Sequence, residues 1–172
     1  GLMPVMESHF ISDQELSDLI AYARSVPAVS RVQPPAQLHM IGKLLIAMRF
    51  VHLSADEIDQ HLDHPDRPPS RSDTVAYGEH IATTCRGCHG EELKGGPIPA
   101  APPGWPKAAD LTRSGLGAWS QDDFVTLMRT GVRPDGTSVN DVMPWRISKN
   151  MTDEDLYALW AFLRSRPGRE TP

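Results

Sequence analysis

Cys85-Arg86-Gly87-Cys88-His89 is the stretch on which the reading of this chain turns. Two thiols three residues apart lie about one helical turn from each other, and an imidazole follows directly. This is the spacing of a c-type haem attachment. The thiols of Cys85 and Cys88 would add across the two vinyl groups of the porphyrin, and His89 would swing under the iron as proximal ligand. A zinc site would need two further ligands of suitable spacing, and His80 is the one nearby residue that could serve. A thioredoxin-like dithiol would follow a strand and open a helix, whereas here a helical pattern precedes the motif. These are the only two cysteines, so no disulfide framework organises the chain.

Outward from the motif, the pattern is helical on both sides. A helix is expected from about Asp73 into the cysteines, burying Val75, Ile81 and Ala82 beside Tyr77. After His89 comes a long stretch rich in proline and glycine, read as a wrapped loop up to Ser120. Ser120 with Asp123 makes a reciprocal cap for a helix that buries Phe124, Leu127 and Met128 and closes at Gly131. Thr152 and Asp155 cap a last helix in the same way. Its Leu156, Leu159, Trp160 and Leu163 recur at i, i+3, i+4 and i+7, and Pro167-Gly168 stops it. No strand pattern is convincing.

The iron would need a sixth ligand. Met143, followed by Pro144, lies in a loop just before the last helix, and its thioether is a soft ligand that raises the reduction potential. Met128 and Met48 read as core filler, and Met151 as an apolar residue stapling the start of the helix that Thr152 caps. Met143 is therefore the expected second axial ligand, ahead of Met151 and His80.

The chain also repeats itself. Shifted by 140 positions, Met3 to Pro27 matches Met143 to Pro167 without a gap, with ten of 25 positions identical. The shared residues include Met-Pro at the start, Asp13/Asp153, Leu16/Leu156, Leu19/Leu159, Arg24/Arg164 and Pro27/Pro167. The cap recurs as Ser12 and Glu15, and the apolar face as Leu16, Leu19, Ile20 and Ala23. Residues 1–27 are thus read as the tail, or a remnant, of a first unit resembling the second. Residues 28–72 form a connector with an apolar helical segment, and 73–172 the haem-binding domain. The apolar stretch Leu38 to Leu53 is expected to fold against a domain. A membrane-surface role is the less favoured reading, because its basic residues are few.

A formal charge of −5 with no basic run or face excludes nucleic acid as an expected partner. Gly1 to Phe10 has neither a basic start nor an apolar run, so no signal peptide is visible. No stretch approaches the ~20 apolar residues of a membrane span.

Tyr77-Gly78-Glu79-His80-Ile81 before Cys85-Arg86-Gly87-Cys88-His89-Gly90, then Met143-Pro144-Trp145, then a final helix with Leu156 and Trp160, together resemble class I cytochrome c over about Asp73 to Pro167. The resemblance implies an all-α fold whose first and last helices cross closely, with Gly78 at the point of approach. It implies His89 and Met143 as axial ligands of one haem c iron, and a loop proline carbonyl that accepts the ring N–H of His89. Pro97 is matched to that proline, with Pro99 and Pro102 as competitors. Trp145 and Arg146, with Trp105 and Trp119, are candidate partners for the haem propionates.

Two such units joined by an apolar connector are similar to di-haem cytochromes c that serve periplasmic dehydrogenases. The first unit's Cys-x-x-Cys-His is absent here, so Met3 reads as a vestige and one haem per chain is expected. The resemblance implies a periplasmic electron carrier, not an enzyme, that shuttles electrons between a dehydrogenase or respiratory partner and an acceptor such as another cytochrome or a terminal oxidase. A peroxidase-like haem enzyme or a haem-based redox or gas sensor is the alternative. The enzyme would need an open distal position, which Met143 argues against, and no signalling domain accompanies the haem.

Overall fold

The computed structural model describes residues 10–30, 37, 39–50, 65–72, 74–99 and 101–168. Met3, Asp73 and, within the apolar stretch, Leu38 and Val51 to Leu53 lie outside the described residues. The chain divides into two compact units, Gly1–Pro68 and Pro69–Pro172. Among the described residues every regular element is a helix, and the only β pairings are two isolated bridges. No helix among them is long and apolar enough to cross a membrane.

The first unit contains α1 (Asp13–Ser25) and α2 (Met40–Ala47). The start of α1 is tied twice. Ser12 and Glu15 form the capping box, with Glu15 Oε2 accepting from the Ser12 backbone at 2.9 Å and from its hydroxyl at 2.7 Å. The backbone N–H groups of Asp13 and Gln14 donate to the carbonyls of Pro65 and Asp66, both at 3.1 Å.

The second unit contains α3 (Thr74–His89), α4 (Arg113–Leu116), α5 (Gln121–Thr130), α6 (Trp145–Ser148) and α7 (Asp153–Ser165). Its core is the crossing of α3 and α7, the most extensive helix pairing among the described residues. Gly78 makes that crossing possible. A Cβ there would lie 2.0 Å from the Ala158 carbonyl oxygen and 2.9 Å from the Phe162 Cβ. Ala82, Leu156, Leu159, Phe162 and Leu163 are buried around it, with Phe124, Leu127 and Met128 of α5 closing the cluster. Asp155 joins the two crossing helices by accepting from the Tyr77 hydroxyl at 2.9 Å. Its partial burial alone would raise the carboxyl pKa. The Thr152, Tyr77 and Arg71 contacts outweigh that and hold it below the ordinary value.

Three expectations change. Val75 is 45% exposed, because the buried stripe of α3 runs through Gly78 and Ala82. The stretch read as loop contains α4, a single turn that forms because Thr112 caps it and Gly115 lets it close on the Asp110 carbonyl. The largest difference is in the first unit. Helix α1 has the bounds of α7 less 140, residue for residue, and the same capping box, yet it buries nothing: Leu16, Leu19 and Ile20 are 51%, 53% and 43% exposed. The covered face of α7 owes its burial to α3 and α5. Among the described residues of the first unit no helix covers the matching face of α1. Helix α2 likewise has no buried residue.

Candidate haem site

The motif occupies the last turns of α3, so its geometry is helical throughout. Cys85 faces inward and packs on the core cluster, while Cys88, three residues on, is exposed. Burial pushes the Cys85 thiol above its ordinary pKa, so it remains a neutral thiol among apolar side chains. Both cysteines are free.

His89 ends the helix and is oriented by a neighbour distant in sequence. Its Nδ1 lies 2.8 Å from the Ala109 carbonyl oxygen. A carbonyl can only accept, so Nδ1 carries the proton and Nε2 keeps its lone pair. Burial lowers the imidazole pKa, and the bond to Ala109 offsets part of that shift. The ring is therefore neutral near pH 7, as metal binding requires.

This overturns the assignment of Pro97 as the acceptor. Pro97 is exposed, and the acceptor is Ala109. The reason lies in how the loop is zipped. Gly95 N–H donates to the His89 carbonyl at 2.8 Å, Gly96 and Ala108 exchange backbone bonds at 2.9 and 2.8 Å, and Leu111 N–H reaches the Leu93 carbonyl at 2.9 Å. The returning arm is held further by Asp110 Oδ1, which accepts from the Thr112 backbone at 2.8 Å and its hydroxyl at 2.6 Å. These bonds bring residues 108–109, not 97, to the imidazole. No side-chain signal could have shown this, since the working group is an alanine carbonyl.

Gly95 is the second residue that the sequence alone did not single out. It has φ +66°, and a Cβ would fall 2.4 Å from the carbonyl oxygens of both Ala108 and Ala109. Gly95→Ala is expected to displace the Ala109 carbonyl and release the imidazole ring. The outcome to look for is a destabilisation of about 2 kcal/mol with a changed haem spectrum. An unaltered spectrum and melting temperature would refute this role.

The loop carrying Met143 is built as firmly. Gly131 ends α5 in the left-handed conformation, and its carbonyl accepts from Val139 N–H at 2.8 Å across a small hairpin. Asn140 then accepts from Met143 N–H at 3.0 Å through its carbonyl and from Val142 N–H at 3.0 Å through its side chain. Met143 is half-buried and packs on the same core cluster as Cys85. Trp145 lies against Gly131, whose missing Cβ would otherwise meet the indole at 2.5 Å. Arg146 is turned to solvent, paired with Asp141 at 2.8 Å and stacked 4.8 Å over the Trp145 ring. Trp105 is 47% exposed, and Trp119 packs on the core.

The donor set fits a covalently tethered haem: vicinal thiols on one helical turn, an imidazole with Nδ1 tied and Nε2 available, and a thioether loop on the same core. An all-helical domain with this arrangement is a c-type haem protein. Comparison with known proteins agrees, since the family described as cytochrome c matches residues 75–167. The chain belongs to the cytochrome c family, and its second unit is an electron-transfer haem domain.

It is 31% identical over 127 residues to the cytochrome c subunit of a quinone alcohol dehydrogenase from Gluconobacter oxydans (strain 621H), which covers 69% of this chain and 24% of that protein. It is 32% identical over 91 residues to the fructose dehydrogenase cytochrome subunit of Gluconobacter japonicus (48% of this chain, 19% of that protein). It is 33% identical over 97 residues to the gluconate 2-dehydrogenase cytochrome c subunit of Pantoea cypripedii (51% and 22%). The chain spans about a fifth to a quarter of the length of these relatives. The first of these matches covers more of the chain than residues 69–172 contain, so it extends into the first unit.

Proposed function

We propose that this chain carries one haem c with His89 and Met143 as axial ligands, and that it passes electrons on behalf of a periplasmic dehydrogenase. The observation that carries the reading is the His89 Nδ1–Ala109 contact beside two free thiols, which leaves one ring nitrogen available for iron. The haem supplies the one-electron couple, and the protein supplies ligands, orientation and burial. Cys85 and Cys88 hold the group, Ala109 fixes the imidazole, and the hydrogen-bonded loop around Asn140 holds Met143 in place. His80 lies nine residues before His89 on α3, half a turn out of phase, so it faces away from the proximal ligand. An occupied sixth position favours a carrier over a peroxidase-like enzyme.

Similarity to dehydrogenase cytochrome subunits supports a redox protein as partner, and attachment chemistry that needs reduced thiols after export supports the periplasm. The α1/α7 correspondence supports residues 1–27 as part of a first cytochrome-like unit and 28–72 as its connector to the haem domain.

Visible spectroscopy of the ferric protein tests the ligand pair. A weak long-wavelength Fe–S band is expected in the parent and should vanish in Met143→Leu. The reduction potential should fall by an amount on the order of 0.1 V, within the ~0.8 V range over which axial ligands act. If the band survives in Met143→Leu, the ligand is another residue. Intact mass then reports the number of haems per chain.

A further inference from the structure

The first unit presents an apolar surface whose position and charge setting point to one occupant. At 100° per residue, Met40, Ile41, Leu44, Leu45 and Met48 fall within a single arc of about 140° on α2. All five are exposed, Met40 at 86% and Ile41 at 73%, and Phe50 just beyond is 71% exposed. Gly42 and Ile46, on the opposite side, are half-buried. The most apolar side of the helix therefore faces outward, the reverse of an ordinary surface helix.

The stretch that carries it lacks acidic side chains, which resume at Asp56, Glu57, Asp59 and Asp63. Residues 19–55 contain no Asp or Glu, but include Arg24, Arg31, Lys43 and Arg49, with His39 and His52. A stretch of that length would hold about five acidic residues at the chain's average. It contributes +4 to a chain of formal charge −5, so the remainder carries −9. Lys43 and Arg49 flank the exposed apolar arc itself, and both are exposed. Helix α1 makes the contrast. It also exposes leucines, but Asp13, Glu15 and Asp18 lie among them, and an anionic surface would repel that face.

We propose that α2 and the residues just after it form an interfacial anchor that lays Met40, Ile41, Leu44, Leu45 and Met48 into an anionic bilayer surface. Lys43 and Arg49 would sit at headgroup level. Exposed apolar area combined with basic residues is the binding signature of such helices. An apolar groove on another protein would not call for a long acid-free stretch. The anchor would keep the haem domain at the membrane surface, where a membrane-bound redox partner is found by two-dimensional search. The proposal does not depend on which residue is the sixth iron ligand.

The test is co-sedimentation of the haem-loaded chain with vesicles, followed by haem absorbance. Vesicles of phosphatidylcholine with phosphatidylglycerol should bind at least tenfold more tightly than phosphatidylcholine alone. Leu44→Glu should weaken binding about tenfold or more, and Lys43→Gln about fivefold. Both positions are exposed and far in sequence from the haem motif, so unchanged helicity and haem spectrum verify that the variants fold. Failure to bind, or equal binding to both vesicle types, would overturn the proposal. So would concentration-dependent self-association, or capture of a dehydrogenase subunit, that Leu44→Glu abolishes while vesicles are ignored.

Discussion

Replacing Cys85 and Cys88 together with alanine is expected to abolish covalent haem attachment completely, while each single variant keeps one tether. The double variant should show no haem after denaturing electrophoresis, and its intact mass should be that of the polypeptide. The two single variants should differ. Cys85 is packed in the core with its thiol held neutral by burial, so Cys85→Ala leaves a gap there and should lower stability by about 1 kcal/mol. Cys88 is not among the residues packed on that cluster, so Cys88→Ala removes a tether without opening a gap there. Haem that survives denaturation in the double variant would refute the attachment site.

Gly78→Ala should have the largest effect on stability. The added Cβ would sit 2.0 Å from a backbone oxygen of α7 and 2.9 Å from the Phe162 Cβ. Neither atom lies at the end of a flexible side chain, so the two helices must separate. That crossing organises the whole second-unit core, with Ala82, Leu156, Leu159 and Leu163 packed around it. A cost of about 3 kcal/mol or more is expected, at the upper end for overpacking. For a unit of this size it corresponds to a fall in melting temperature of roughly 10–20 °C. A shift of only a degree or two would mean that the crossing is looser than the structure has it.

The elements that were legible in the sequence share a physical property: their determinants are local. The haem motif is one helical turn of chain. The capping boxes at Ser12, Ser120 and Thr152 bond residues three apart, and each appears as expected. Gly78 was legible for a different reason, since the family resemblance placed it at the helix crossing. The internal repeat was legible because α1 and α7 use the same cap and the same length.

What could not be read there depended on partners distant in sequence. The acceptor for His89 is a carbonyl twenty residues away, and every residue has a carbonyl. Pro97 was matched by resemblance, but backbone bonds between the two arms of the loop decided which carbonyl arrives.

The sequence by itself therefore determined the chemistry of the site, the helical class of the fold and the caps that start three helices. These rest on covalent spacing and on hydrogen bonds within one turn. Only the tertiary structure decided what those helices bury. Helices α1 and α7 carry nearly the same apolar pattern, yet Leu156 is fully buried and Leu16 is half exposed. The same holds for Leu44 and its neighbours on α2, whose apolarity is plain in sequence but whose exposure is not. A periodic face states only that a surface avoids water. Whether a helix, a haem or a membrane covers it depends on what the rest of the chain brings alongside.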